Sequence, residues 1–162
     1  MEFKEIQKFT QWWIWLIIIG TIAYMAIGDY KQIILGNSFN SFLVSNSNLL
    51  INYAISIIVV LLFLIIHLKT EINVKEIRIR FFPLTHKHIL WDDVKKAEII
   101  NYGFIGGWGI RPWTQYGTVY NIKGNKGLYI ELKNGKKLVI GTQKEEEIRE
   151  IVNYACKMYN IE

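Results

Sequence analysis

The chain of 162 residues has few of the residues that catalysis, metal binding or covalent cross-linking would need. Its single cysteine, Cys156, excludes an intramolecular disulfide. No nucleophile is paired with a base, no His or Cys set has metal-ligand spacing, and neither G-x-G-x-x-G nor a P-loop occurs. These absences predict a protein that is not an enzyme, with no catalytic residues, no metal and no cofactor.

Ionisable side chains are missing from two long apolar runs, Phe9–Gly28 and Leu49–Ile66. A helix rises about 1.5 Å per residue, so roughly 20 apolar residues cross a hydrocarbon layer of about 30 Å. A cleaved signal peptide, the alternative for the first run, has a shorter apolar core of about 7–15 residues. The sequence therefore predicts two transmembrane helices, at about residues 9–28 and 49–67, forming a hairpin within a domain of residues 1–68. Tryptophans typical of the headgroup level crowd the start of the first run: Trp12, Trp13 and Trp15.

Basic residues are unevenly placed around the two runs. The connection of residues 29–48 contains only Lys31, whereas Lys4 and Lys8 precede the first run. Five basic residues follow the second run closely: Lys69, Lys75, Arg78, Arg80 and Lys87. The positive-inside rule therefore predicts a multi-pass protein of the plasma membrane with both termini in the cytoplasm and residues 29–48 outside.

Net charge separates the two parts of the chain. Three lysines balance three acidic residues in residues 1–68, so the formal charge of +5 belongs to residues 69–162, with 16 Lys or Arg against 11 Asp or Glu. Such a domain is attracted to an anionic leaflet. Nucleic-acid binding is not predicted, because no recognised motif is present and a bilayer restricts access.

Residues 69–162 read as a mainly-β cytoplasmic domain that ends in one helix. The alternation of Ile77, Ile79 and Phe81 with arginines is typical of a half-buried strand. Thr142 and Glu145 fit a capping box for a helix at about residues 143–159, whose apolar face includes Cys156. A bent seven-stranded sheet, or partial barrel, capped by that helix is expected. The predicted strands are Glu71–Asn73, Ile77–Phe82, His88–Trp91, Lys95–Asn101, Gly117–Ile122, Gly127–Lys133 and Lys137–Gly141.

This pattern resembles the bacterial pleckstrin-homology-like membrane proteins. The resemblance covers about residues 70–155 and the preceding helical hairpin. It is carried by Trp91-Asp92-Asp93-Val94, by Gly106-Gly107-Trp108-Gly109-Ile110-Arg111 and by Gly141-Thr142-Gln143. It implies a pleckstrin-homology-like (PH-like) fold and no activity.

A glycine- and aromatic-rich segment, Tyr102–Tyr116, is the first candidate binding site. Trp108, Arg111 and Trp113 could hold a protein or peptide, with Arg111 clamping a carboxylate or phosphate. Two alternatives remain: the aromatic residues close the end of the barrel, or they rest at the lipid interface.

A basic set in the first hairpin, Lys75, Arg78 and Arg80, is the second candidate site. Its K-x-x-R-x-R spacing resembles the phosphoinositide signature of some PH domains. Generic contact with the membrane surface is the alternative explanation. His86 and His88 share a strand face but have no third ligand nearby, so a metal site is not predicted.

Taken together, these features predict a membrane-anchored, non-catalytic binding or scaffolding protein. Its cytoplasmic domain would contact anionic lipid headgroups, a protein partner or a second copy of itself. The alternative function is an accessory subunit of a membrane transporter or enzyme complex.

Overall fold

The computed structural model describes residues 2–35 and 46–161 and divides the chain into two compact units. The β unit comprises Met1–Phe9 together with Ile66–Glu162, and the helical unit comprises Thr10–Ile65. The sequence predicted one boundary, between residues 68 and 69. In the structure the chain passes between the two units twice, after Phe9 and before Ile66. The first residues belong to the β unit because they add a strand to one of its sheets.

The helical unit contains α1 (Trp12–Leu35) and α2 (Asn46–Ile65). Among the described residues one helical stretch, Trp12–Lys31, is long and apolar enough to cross a membrane, while Ile51–Ile65 is a shorter apolar stretch. By length and composition the described helices therefore show one candidate span, and the predicted hairpin of two spans is not shown. Residues 29–35 of the predicted connection are helical, and residues 36–45 lie outside the described residues.

Side-chain contacts join the two helices of this unit. The Tyr53 hydroxyl donates to Asp29 Oδ2, and Ser56 Oγ lies 3.7 Å from Met25 Sδ. Because Asp29 follows Met25 in α1 while Tyr53 precedes Ser56 in α2, the helices run antiparallel at these contacts.

The described part of the β unit has nine strands in two sheets, not the single seven-stranded sheet that was expected. The first sheet is antiparallel throughout, in the order β1–β2–β3–β4. Its strands are β1 (Glu2–Lys8), β2 (His67–Asn73), β3 (Glu76–Phe82) and β4 (Thr85–Leu90). A 3₁₀ turn, Trp91–Asp93, leads into the second sheet.

The second sheet has the order β5–β8–β9–β7–β6, and its one parallel pair is β7–β9. Its strands are β5 (Val94–Asn101), β6 (Gly109–Thr114), β7 (Gly117–Asn121), β8 (Lys126–Leu132) and β9 (Lys137–Gly141). The terminal helix α3 spans Glu145–Tyr159. The mainly-β architecture with a C-terminal helix is confirmed at this level.

The larger of the two buried clusters found among the described residues joins the two sheets and α3. It combines inward residues of the first sheet, such as Ile79 and Phe81, with Ile130 of the second sheet and with the apolar stripe of α3. The predicted stripe of α3 is confirmed, since its members are buried: Ile148, Ile151, Val152 and Ala155. Burial of each large aliphatic side chain contributes roughly 1.5–3 kcal/mol, so α3 is held mainly by this face.

Strand β1 was not predicted, because its inward positions are mostly polar. Phe3, Glu5 and Gln7 are buried while Ile6 is 58% exposed, the reverse of the pattern that reveals a half-buried strand. Gln7 Nε2 donates across the core to the Gly141 carbonyl at 2.7 Å, whereas Gln7 Oε1 has no partner among the described residues. Burial of a polar group costs free energy unless the group is hydrogen-bonded, so the polar inward face of β1 depends on these distant partners.

The predicted capping box at the start of α3 is wrong. The N-cap residue is Lys144, and it makes no side-chain capping hydrogen bond. The Thr142 hydroxyl accepts the Lys144 N–H at 3.0 Å and donates to Glu5 Oε2 at 2.6 Å, and Glu5 Oε1 accepts the Gln143 N–H at 2.8 Å. The Thr142 N–H donates to the Lys126 carbonyl and not to Glu145.

Candidate functional site

The residues of the predicted basic set occupy different places on β3. Arg78 and Arg80 are exposed on the outer face of the first sheet, as the alternation predicted. Lys75 lies in the β2–β3 turn, where Asn73 Oδ1 accepts hydrogen bonds from the N–H groups of Lys75 (2.8 Å) and Glu76 (3.0 Å). Five residues of strand span about 16 Å, so Lys75 and Arg80 lie near opposite ends of the sheet.

Acidic neighbours neutralise the middle of this outer face. Glu76 forms ion pairs with Arg78 and His88, and Glu71 pairs with Lys69 at 2.6 Å. The hydrogen bond from His88, with the adjacent Arg78, lowers the pKa of Glu76 below its ordinary value. Glu76 therefore stays ionised and compensates the charge of Arg78.

Arg80 has different neighbours, which sequence spacing did not identify. In the strand register Arg80 stands between Lys69 of β2 and His86 of β4. With Lys87, and with the paired Glu71, Arg78 and His88, these residues line a shallow concavity of about 340 Å³. Among the described residues neither Arg80 nor Lys87 has a carboxylate partner. The positive surface thus combines three strands, which the linear motif K-x-x-R-x-R could not reveal.

The predicted binding loop is partly a strand, since β6 begins at Gly109. The residues before β6 form an aromatic corner: Phe104 and Trp108 meet edge to face, with ring centroids 6.4 Å apart. The Phe104 side chain is 80% exposed. A shallow depression of about 320 Å³ beside it includes Trp108 but neither Arg111 nor Trp113. The structure therefore does not bring the three predicted residues together in this depression.

Arg111 lies half-buried against the backbone of the same segment. A Cβ atom added to Gly107 would lie 2.4 Å from Arg111 Nη2, so a side chain at position 107 would displace the end of the Arg111 side chain. The φ angle of Gly107, +129°, also favours glycine. Arg111 Nε is buried and has no hydrogen-bond partner among the described residues. Arg111 thus packs into its own loop with one buried N–H group that has no partner among the described residues.

Trp113 is the most exposed large apolar residue described, at 95%. It has a left-handed backbone (φ +58°) and lies at a register shift between Arg111 and Thr114, in a strand at the edge of the second sheet. Such a bulge re-aims a side chain, and the left-handed conformation costs a non-glycine residue energy. An exposed tryptophan on strained backbone is typical of a contact surface rather than of packing.

The described side chains contain no group of three or more His, Cys, Asp or Glu residues that could hold a metal ion. His88 is engaged with Glu76, and His86 faces Arg80 across the β3–β4 pair. Cys156 is half-buried beside the core, and burial raises the pKa of its thiol. These surroundings favour a packing role for Cys156, because a raised pKa leaves little thiolate.

Comparison with protein-family models, with curated proteins and with solved structures found no match to this chain. The resemblance to pleckstrin-homology-like membrane proteins consequently stays a prediction.

Proposed function

We propose that this protein is a membrane-anchored, non-catalytic binding or scaffolding protein. The helical unit anchors the protein in the membrane. The β unit acts as a PH-like domain in the cytoplasm, where it contacts anionic lipid and a protein partner. The observation that carries the proposal is the pairing of Lys8 with His67.

This pairing constrains how the chain can cross a bilayer. The chain leaves the β unit after Phe9 and returns at Ile66, and both positions belong to one folded unit. A folded β unit stays on one side of a membrane. If α1 crosses, the chain must therefore cross again before Ile66, and α2 is the helix available for the return. Its 20 residues span about 30 Å, which suffices for the hydrocarbon layer.

The helix surfaces support lipid as their surroundings. Only 6% of the residues in the apolar window of α1 are buried, and large apolar side chains such as Leu16, Ile19 and Ile57 are more than half exposed. Exposed apolar surface on this scale is costly in water and favourable in lipid. The antiparallel contacts of Asp29 with Tyr53 and of Met25 with Ser56 agree with a hairpin of two spanning helices.

Basic residues support the cytoplasmic orientation. Lys4 and Lys8 belong to the same unit as Lys69 and Arg80, so the basic flanks of both helices are on one side of the membrane. The positive-inside rule then favours the cytoplasm for the β unit and for both termini.

The exposed Trp113 supports a partner-binding role for the β unit. Tryptophan is enriched at the centre of protein interfaces, where it fills pockets of the partner. Its position on an edge strand leaves room for approach from one side.

Carbonate extraction and cysteine mapping test the anchoring. In a Cys156→Ser background, Asn134→Cys in the β8–β9 turn should react with an impermeant maleimide only after the cells are opened. Asn40→Cys should react in intact cells. Release by carbonate would contradict membrane anchoring, and labelling of Asn134→Cys in intact cells would reverse the orientation.

Site-specific photo-cross-linking tests the partner role. A photoreactive aromatic amino acid at position 113 should give one saturable cross-linked species in cells. The same probe at Tyr154, an exposed residue of α3, is the matched control. Equal cross-linking from both positions would contradict a specific role for Trp113.

A further inference from the structure

The β3–β4 turn leaves the first sheet at the end where the chain passes into the helices. Lys8 pairs with His67, and His67 pairs with Phe82, so the last residues of β1 and β3 and the first residue of β2 form one row. Because β3 runs antiparallel to β2, Pro83 and Leu84 extend beyond this row. They lie past the end of the sheet at which the chain leaves the β unit after Phe9 and re-enters it at Ile66. One residue, Ile66, separates α2 from β2.

This turn carries apolar side chains that the β unit does not bury. Leu84 is 65% exposed and Phe82 is 42% exposed. The imidazole ring of His67 stacks on the Phe82 ring, with ring centroids 5.4 Å apart, and so extends the aromatic surface of Phe82. An aromatic and an aliphatic residue exposed together at a strand end match the composition of protein segments that enter the membrane interface.

Two residues further into the sheet, on the same face, lies a mostly basic row. It contains Lys69, Arg80 and His86, with the exposed Ile6 of β1 beside Lys69, and Lys87 follows His86 in β4. Alternate residues of a strand lie about 7 Å apart, so this row lies about 7 Å behind the row of Lys8, His67 and Phe82. From Leu84 inward the order is thus an apolar turn first and a mostly positive row second, which matches acyl chains beneath anionic headgroups.

We propose that the β3–β4 turn inserts Leu84 and Phe82 into the interfacial layer of the anionic membrane that anchors the chain, while Arg80 and Lys87, which have no carboxylate partner among the described residues, bind lipid phosphates. The inference rests on the proposed membrane anchoring. It replaces the linear set of Lys75, Arg78 and Arg80, because Lys75 lies at the far end of the sheet and Arg78 is paired with Glu76. The membrane contact then has two helices and one turn, which fixes how the β unit is held against the leaflet.

Depth-dependent quenching on the full chain tests the insertion. The Cys156→Ser chain is reconstituted into vesicles of phosphatidylcholine with phosphatidylglycerol, and a fluorophore is attached through Leu84→Cys. Leu90→Cys is the matched control, since Leu90 is an exposed leucine at the opposite end of β4. Lipids that carry a spin label just below the headgroup should quench the fluorophore at position 84 severalfold more than that at position 90.

A third position separates failure of the inference from failure of the anchoring. Ile19→Cys lies within α1 and should be quenched strongly by deep spin labels if the helix is in lipid. Quenching at 19 without quenching at 84 would overturn only the inserted turn. Absence of quenching at both positions would overturn the anchoring as well. A blue shift at position 84 without lipid quenching would assign the turn to a protein contact and overturn the proposal.

Charge reversal tests the basic row. Arg80→Glu should lower the quenching at position 84 severalfold in anionic vesicles, and Lys75→Glu, at the other end of the same hairpin, should leave it unchanged. In vesicles of phosphatidylcholine alone, the labelled chain that keeps Arg80 should show the same low quenching at position 84 as Arg80→Glu shows in anionic vesicles. Equal effects of the two reversals, or quenching that is independent of phosphatidylglycerol, would overturn the phosphate contacts.

Discussion

Lys8 is paired with His67 across the β1–β2 ladder, although 58 residues separate them in the chain. The intervening segment contains the helical unit, with only Phe9 and Ile66 belonging to the β unit. The β unit is therefore discontinuous in sequence but continuous in its sheet, and the helices are an insertion between two neighbouring strands.

This arrangement predicts a water-soluble form of the β unit. Replacement of Phe9–Ile66 by Asn-Gly should join Lys8 to His67 by a two-residue hairpin turn, since this pair favours the turn that fits antiparallel strands. The product should be monomeric and should unfold cooperatively, as measured by size-exclusion chromatography and by thermal circular dichroism.

A fragment of residues 66–162 is the control for this design. It lacks β1, so the core loses Phe3, and Thr142 loses its partner Glu5. The fragment should melt well below the joined form or aggregate. Equal melting temperatures would contradict a structural role for β1.

Glu5 should contribute more to stability than its place in an edge strand suggests. Its carboxylate accepts two hydrogen bonds, from Thr142 Oγ1 and from the Gln143 N–H, and it is 7% exposed. Hydrogen bonds to a charged group contribute about 1.5–3 kcal/mol, so Glu5→Ala should lower the free energy of unfolding by about 2 kcal/mol. Urea titration of the detergent-solubilised chain, followed by near-UV circular dichroism, measures this change.

Glu2→Ala is the matched control for Glu5→Ala, because Glu2 lies on the exposed face of the same strand and pairs with Lys4. Glu2→Ala should lower the free energy of unfolding by no more than about 0.5 kcal/mol, as is usual for surface ion pairs. A larger loss for Glu2→Ala than for Glu5→Ala would disprove the role assigned to Glu5.

Trp113 and Trp91 should respond in opposite ways to substitution. Trp113→Asn should leave the free energy of unfolding unchanged or raise it by up to about 1 kcal/mol, since asparagine tolerates the left-handed backbone and the indole is 95% exposed. Trp91 is fully buried, and its Nε1 donates to the Asn73 carbonyl at 2.8 Å. Trp91→Ala should lower the free energy by about 3–5 kcal/mol.

Chemical denaturation of the two tryptophan variants measures these changes. A destabilisation by Trp113→Asn that approaches that of Trp91→Ala would show that Trp113 closes the fold rather than contacting a partner.

The start of α3 should make stability depend on pH through Glu145. Hydrogen bonds from Lys126 Nζ (2.6 Å) and Arg149 Nη2 (2.5 Å) lower the pKa of Glu145 below its ordinary value of 4.5. A lowered pKa stabilises the folded state above the unfolded value, and this contribution is lost as the pH falls through the folded pKa. Glu145→Gln should therefore destabilise the chain near neutral pH and have no effect in strong acid.

Unfolding of Glu145→Gln and of Glu146→Gln is compared across pH to check this dependence. Glu146 lies in the same first turn, shares the helix dipole and has no ion pair among the described residues. A pH-independent effect of Glu145→Gln, or an equal effect of Glu146→Gln, would count against the ion pairs as its cause.

Local patterns were sufficient for several elements of the β unit. Strand β3 follows its alternation of isoleucine with arginine, and α3 buries the stripe that its spacing predicted. Strand β6 was missed because Gly109, Pro112 and the bulge at Trp113 interrupt any alternation. The candidate sites were predicted less well than the strands, because a site depends on which strands are neighbours. Arg80 acquires Lys69 and His86 through the sheet register, and no sequence spacing indicates them.

The sequence by itself determined the apolar helices, the basic charge of the remainder and most strands of the β unit. Each of these follows from the hydrophobicity or periodicity of neighbouring residues, which act locally. Tertiary structure alone decided that residues 2–8 complete the first sheet and that Glu5 binds Thr142. It also placed Phe82, Arg80 and Lys69 near the sheet end at which Lys8 and His67 pair. Strand pairing brings together residues that are far apart in the chain, and the energy of a buried polar group depends on such distant partners.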